Sequence, residues 1–272
     1  MDKNLEGASI EWCVSDLDGT LLNSKGEVSP QTQEAIAQLH EAGIGFTLAT
    51  GRNDLHIREM IQNLKITLPV ISCNGALIRD MATENVIQAD YIEDGAVDRI
   101  IEVGSHYGWD FIGYTKDAIW YLPDSPGMKY YREYNRKSDP AFHIPLNGTS
   151  MAEWPREEFL KFFIWDVPAG QAKELEQEER ITRVQSMAGS LDIMAAGVSK
   201  GRGLKILADH LGMDLARTAV FGDNHNDLEM LSAAGYSFAM ANGEEETKRT
   251  AKYSTGTNDE HGVAQIILSK IL

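Results

Sequence analysis

Cysteine is nearly absent from this 272-residue chain, and the two present, Cys13 and Cys73, both sit in apolar, strand-like runs. Thiols in such runs pack as small hydrophobes, so no structural disulfide is expected. Long apolar runs are missing as well. Nothing approaches the ~20 residues that a membrane-spanning helix needs, and residues 1–8 lack the apolar segment of a secretory leader. The expectation is a cytoplasmic protein with no membrane partner. Basic residues are scarce beside acidic ones, 25 against 41, for a formal net charge of −16. That balance argues against nucleic acid and anionic lipid as partners. A phosphate-bearing ligand would need a local cation. Asn147-Gly148-Thr149 matches a glycosylation acceptor, which means nothing without secretion.

What is present is an ordinary globular composition, 43% hydrophobic and 24% charged. The length suits two compact units at roughly 100–200 residues each. The most informative stretch runs from Cys13 to Leu22, an apolar run broken by Asp16 and Asp18. A buried parallel strand reads as a near-continuous apolar run, and open α/β sheets bind ligands just past the carboxyl ends of their strands. Ionised carboxylates there need a cation or hydrogen-bond donors. Mg²⁺ fits, because it takes hard oxygen ligands from one or two carboxylates plus substrate phosphate. The same Asp-x-Asp-Gly string also suits a solvated turn, or the metal site of a nucleotide-sugar glycosyltransferase.

Further along, Ser29-Pro30 reads as the cap and first residue of a helix through Ala35, Ile36 and Leu39 to a stop at Gly43. A second strand, residues 44–49, ends in Thr50-Gly51-Arg52, which offers a hydroxyl, an open amide and a guanidinium fork to an anion. Asn53 or Asp54 caps the next helix, and a third strand over 68–73 meets the hairpin signal Asn74-Gly75. This is a βαβαβ pattern with a parallel sheet.

From about Thr83 aromatic residues crowd in, among them Tyr107, Trp109, Phe111, Tyr114, Tyr130, Tyr131 and Tyr134. Helices are expected over 94–107, 129–136 and 169–179, and strands over 109–114, 118–122, 160–165, 181–186 and 190–195, with 140–154 as a loop. This reads as an α+β insert with a largely antiparallel sheet, whose aromatics are mostly core. The first pattern then returns. Ser199 caps a helix that places Lys200 in its first turn, where a cation makes sense if both share an anion. A strand over 218–221 ends in Gly222-Asp223-Asn224-His225-Asn226-Asp227. Asp223 can serve the same cation as Asp16, Asn226 can hydrogen-bond phosphate or metal-bound water, and Asp227 can orient Lys200 or cap the following helix. His225 is a poor ligand candidate in so oxygen-rich a setting.

Taken together and in order, Asp16-Leu17-Asp18-Gly19-Thr20, Thr50-Gly51-Arg52, Lys200 and Gly222-Asp223-x-x-Asn226-Asp227 resemble the four motifs of the haloacid dehalogenase superfamily. The placement of the insert is similar to that of its Cof-type phosphatases. The resemblance implies an α/β fold: a Rossmann-like parallel-sheet core over 1–83 and 190–272, carrying an α/β cap over 84–189. It implies an enzyme that hydrolyses small phosphorylated metabolites, sugar phosphates or phosphorylated cofactors, with Mg²⁺ held by Asp16, Asp18 and Asp223, and Asp227 behind them. Asp16 would attack phosphorus to form an aspartyl-phosphate. Asp18 would act as acid and then base, lending its main-chain carbonyl to the metal, once its neighbours shift its pKa. Thr50 and Lys200 would hold the phosphoryl oxygens, with Gly51, Arg52 and Asn226 also on the substrate. A phosphomutase or phosphotransferase on the same scaffold, or a phosphometabolite sensor without turnover, are the alternatives. A monomer or homodimer is expected.

Overall fold

The computed structural model describes residues 9–168, 170–185 and 189–272. The leader expectation at residues 1–8, the start of the helix expected at Ala169 and the strand end at Ser186 lie outside them.

The chain opens with β1 (Trp12–Ser15), α1 (Pro30–Glu41), β2 (Gly45–Leu48), α2 (Arg58–Asn63) and β3 (Val70–Ser72). A tight turn at Cys73–Gly75 leads into β4 (Leu77–Arg79) and β5 (Val86–Ala89). The second unit comprises α3 (Asp94–Tyr107), β6 (Asp110–Tyr114), β7 (Ile119–Tyr121), α4 (Lys129–Lys137), β8 (Leu146–Gly148), β9 (Lys161–Trp165), β10 (Ile181–Val184) and β11 (Leu191–Ala195). The chain closes with α5 (Lys200–Leu211), β12 (Thr218–Gly222), α6 (Leu228–Ala233), β13 (Tyr236–Ala239), α7 (Glu245–Thr250), β14 (Tyr253–Ser254) and α8 (Gly262–Ile266), whose last turn widens over Ile267–Ile271.

Five of these strands form a parallel sheet in the order β14-β13-β12-β1-β2, and β3 joins its edge through one parallel bridge between Ala49 and Ile71. Successive side chains point to opposite faces of a strand, and both faces here are covered. Cys13, Ala219 and Phe221 pack with Ile36 and Leu39 of α1 and Val263 of α8. Their neighbours Val14 and Val220 pack with Leu204 and Leu207 of α5 and Leu231 of α6. That is why these strands read as continuous apolar runs. The helices start where their caps say: the Ser29 hydroxyl accepts from the Thr32 amide at 3.2 Å, and the Ser199 hydroxyl from the Arg202 amide at 3.0 Å.

The second sheet has six strands in the order β10-β11-β9-β6-β7-β8, antiparallel except for the β7–β8 pair. Alternation along β9 sorts it into two faces. Phe162 and Ile164 pack under α3, against Val97 and Ile100. Phe163 lies on the other face with Tyr131 of α4, in a cluster that takes in Leu55, Cys73 and Leu77 of the first unit.

Several elements depart from expectation. The helix expected over 169–179 is one 3-10 turn, Gln171–Leu175, anchored by the buried Leu175. Its charged residues leave too little apolar face to drive a longer helix. The loop over 140–154 contains β8, too short and polar to announce itself. Two strands also pair across the expected boundaries: β5 pairs with β4 of the first unit, and β11 is flanked by β9 and β10 of the second.

Candidate active site

Three strand ends meet at one point. Ser15 is in register with Leu48 of β2 and Phe221 of β12, so the residues that follow, Asp16, Thr50 and Asp223, emerge together at the carboxyl edge of the sheet. Asp16 is tied in by its amide, which donates to the Phe221 carbonyl at 3.0 Å. Gly19 adopts φ +82°, and a Cβ there would lie 2.3 Å from Asp223 Oδ2, so only glycine lets the first loop pass this close to the acid. Thr20 Oγ1 donates to Asp223 Oδ1 at 2.8 Å.

Lys200, 1% exposed, comes in from the first turn of α5. Its Nζ donates to Asp16 Oδ1 at 2.5 Å and to Asp227 Oδ1 at 2.7 Å. The other oxygen of Asp227 accepts from the amides of Asp223 and Asn224 at 2.9 and 3.0 Å, so this one buried carboxylate shapes the loop and aims the lysine. Of the two roles considered for Asp227 from sequence, it is placed to orient Lys200, but it does not cap the following helix: its second oxygen is taken by the two amides that precede it, and it makes no side-chain bond to the first turn of α6.

Carboxylate oxygens of Asp16, Asp223 and Asp227 lie within 4.8 Å of one another. Burial raises Asp16 well above the ordinary carboxylate range; Lys200 pulls it down, while Asp227 and Asp223 push it up. Burial, then Asp227, pushes Asp223 up to about 6. In Lys200 burial acts downward, but Asp16 and Asp227 outweigh it and its pKa lies above the usual lysine value. Three acids around a single ammonium leave an excess of negative charge, and the donors are all hard oxygens. This set fits a divalent cation of the Mg²⁺ type.

Asp18 lies outside this cluster. Its carboxylate is gripped by both arms of the Arg52 guanidinium, Nε to Oδ2 at 2.8 Å and NH2 to Oδ1 at 2.6 Å. Partial burial acts upward on Asp18, but Arg52 prevails and its pKa lies below the ordinary value. The upward shift that acid catalysis requires is therefore absent in this arrangement. The fork expected to meet a phosphate is present, but it holds Asp18. Thr50 is fully buried, its hydroxyl accepting from the Arg52 amide at 3.1 Å. Asn226 Nδ2 donates to Asn74 Oδ1 at 3.0 Å, and Asn74 Nδ2 donates to Asp192 Oδ2 of β11 at 3.0 Å.

Above these groups is a cavity of about 400 Å³. Its floor includes Asp16, Asp18, Gly51, Arg52 and Asn226, and its far wall comes from the second sheet and α4. Sequence reasoning missed most of that wall, Lys161, Phe163 and Trp165 of β9, and also His56, which lines the cavity from the first unit. The signal was there in the alternation Lys161, Phe163, Trp165, three residues sharing one strand face. Of the aromatic stripe, Tyr114, Tyr130 and Tyr131 line the cavity, while Trp109 and Phe111 are core.

An α/β sheet with acids at two strand ends and a threonine at a third, a lysine at a helix start and a separate covering sheet defines a family, and the chain belongs to it: residues 13–267 match the model of the haloacid dehalogenase-like hydrolases. It is a phosphoric monoester hydrolase of the Cof-type branch, as its motifs led us to expect. It is 31% identical over 266 residues to the pyridoxal phosphate phosphatase YbhA of Escherichia coli, with 94% of this chain and 97% of that one covered. It is 25% identical to the 5-amino-6-(5-phospho-D-ribitylamino)uracil phosphatase YcsE of Bacillus subtilis, over the full length of both. Among solved structures, a subclass IIB sugar phosphatase of the superfamily superposes with a TM-score of 0.83 at 26% identity, covering 96% of this chain and all of that one.

Proposed function

We propose that the protein is a Mg²⁺-dependent phosphatase of small phosphorylated metabolites that works through a phosphoryl group carried on Asp16. The observation that carries this reading is Asp16 itself, clamped by Lys200 and flanked by two further carboxylates at the floor of a covered cavity. Asp16 is the nucleophile, already aimed by the ammonium. Lys200, Thr50 and the Gly51 amide hold the phosphoryl oxygens as negative charge builds on them. The metal would be held by Asp16, Asp223 and the main chain at Asp18, and when bound it offsets the carboxylates and draws charge from the phosphoryl oxygens. Asp18 gives the leaving alkoxide its proton and then takes one from water. That duty requires Arg52 to let go of it, and an incoming phosphate is the natural competitor for the guanidinium fork. The second unit closes the cavity against bulk water. The names of the relatives support both a phosphorylated cofactor and a sugar phosphate as ligand.

The test is phosphate release from a panel of phosphorylated metabolites with Mg²⁺ and with EDTA. Wild type turns over at least one member in Mg²⁺ alone, and Asp16→Asn lowers kcat on it by about 10³-fold or more, the scale of losing a covalent nucleophile. Metal-independent turnover, or an Asp16→Asn variant that retains a tenth of the activity, would sink the reading.

A further inference from the structure

We infer that this cavity takes a phosphate monoester whose other end is a flat aromatic ring, in preference to a hexose phosphate. The phosphate end of this statement rests on the phosphatase reading; the ring end rests on the wall alone. That wall is built by strand alternation, which sends Phe163 and Trp165 of β9 to the cavity side, and it is continued by Tyr114, Tyr130 and Tyr131. Phe163 and Trp165 stand edge to face, with ring centroids 5.0 Å apart and planes at 86°, so they offer two different surfaces to one guest.

The hydroxyls and the ammonium of this wall already have protein partners. Tyr114 and Tyr131 share a hydrogen bond between their hydroxyls at 2.6 Å, and the Tyr130 hydroxyl is 3.1 Å from His56 Nε2. Lys161, 3% exposed, spends its ammonium on Asp192 Oδ1 at 2.5 Å and on the Gly51 carbonyl at 2.8 Å. Asp192 is fully buried, so the charge of Lys161 is matched where it sits. What remains facing the guest is carbon and π surface, with the indole N–H of Trp165 as its one uncommitted donor among the described residues. A hexose entering here would strip water from several hydroxyls that find few free partners, a penalty with no matching gain. A planar heterocycle loses little water and stacks, edge or face, on the aromatic side chains. A volume of about 400 Å³ is at the small end for ligand pockets and suits a one-ring or two-ring group with its phosphate on the floor.

Calorimetry on the Asp16→Asn protein in Mg²⁺ reads the ring preference without turnover. The probes are pyridoxine 5′-phosphate, which has no aldehyde to react with lysines, and glucose 6-phosphate. The ring ester binds at least about 10-fold more tightly, on the scale of one stacking contact. Adding Trp165→Leu weakens the ring ester by about 10-fold and the sugar ester by less than about 2-fold. Tyr130→Leu, at a side chain 53% exposed and so tolerant of change, shows the same asymmetry should the tryptophan variant fail to fold. Equal or tighter binding of glucose 6-phosphate, equal losses for both ligands, or no binding of the ring ester would each overturn the inference. Wild-type hydrolysis of the same pair separates the two readings. If the ring ester binds preferentially but neither ester is hydrolysed, the phosphatase reading fails and the ring preference stands.

Discussion

The floor and the far wall of the cavity follow opposite rules. The floor concentrates charge: Asp16 faces the cavity beside Asp18 and Arg52, and behind it Asp223, Asp227 and Lys200 converge from the end of β12 and the start of α5. The wall silences charge. Its lysine is neutralised by a buried aspartate, two of its hydroxyls are paired with each other and the third with His56. A site for phosphoryl transfer needs ionised groups where the phosphate and its cation sit and none where the rest of the molecule rests. The fold meets both needs by drawing the two surfaces from different sheets.

That contrast can be broken at the floor first. Lys200→Met leaves Asp16 and Asp227 buried without their cation, and the expected cost is about 3–5 kcal/mol of stability along with the activity; urea unfolding measures it. A loss below 1 kcal/mol would mean the carboxylates are not held ionised in the fold. The next largest effect sharpens the floor as a cation site. Mg²⁺ at about 100 times its Kd raises stability by about 2.7 kcal/mol by mass action, and Asp223→Asn removes most of that gain in a thermal melt. If the melt of wild type ignores Mg²⁺, the acid cluster is not a metal site.

His56 lies at the seam. Burial, reinforced by Arg52, lowers its pKa to about 3 against an unfolded value of 6.5. A base depressed in the fold contributes stability that is full above the unfolded pKa and is lost as pH falls towards the folded one. Between pH 7.5 and pH 5 the loss is about 2 kcal/mol, and His56→Gln should show about that much less acid sensitivity. The smallest effect is on the wall: Tyr131→Phe removes the hydroxyl pair with Tyr114 and costs about 1 kcal/mol, with phosphate release from small, ringless esters kept within a few-fold.

The same contrast decides how much was legible in the sequence. Asp16, Asp223 and Lys200 stood out because each interrupts a pattern: acids closing an apolar strand, a cation opening a helix. Capping chemistry likewise marked Ser29 and Ser199, and the starts of α1 and α5 fall there. Phe163 and Trp165 broke no pattern. An aromatic residue facing a ligand obeys the same apolar spacing as Phe162, which faces α3, and only the pairing of β9 with β6 and β11 tells the faces apart. Asn74 was read as a turn residue, and it is one, with φ at 57°. Its second role, joining Asp192, 118 residues on, to Asn226, 152 residues on, is invisible until the two sheets meet.

The two passages of the chain between the sheets run side by side. Asp90, just after β5, forms an ion pair with Arg202 in the first turn of α5, at 2.5 and 3.1 Å. Gly75 beside them has φ +101°, and a Cβ there would come within 2.2 Å of the Ser199 carbonyl. One of the places where the second unit is fastened to the first is therefore also the mount of Lys200. The stretch that leads out of the second sheet and the residue that holds Asp16 are thus one continuous piece of chain, so the crossing cannot be rebuilt, by an insertion after β11 for instance, without moving the lysine.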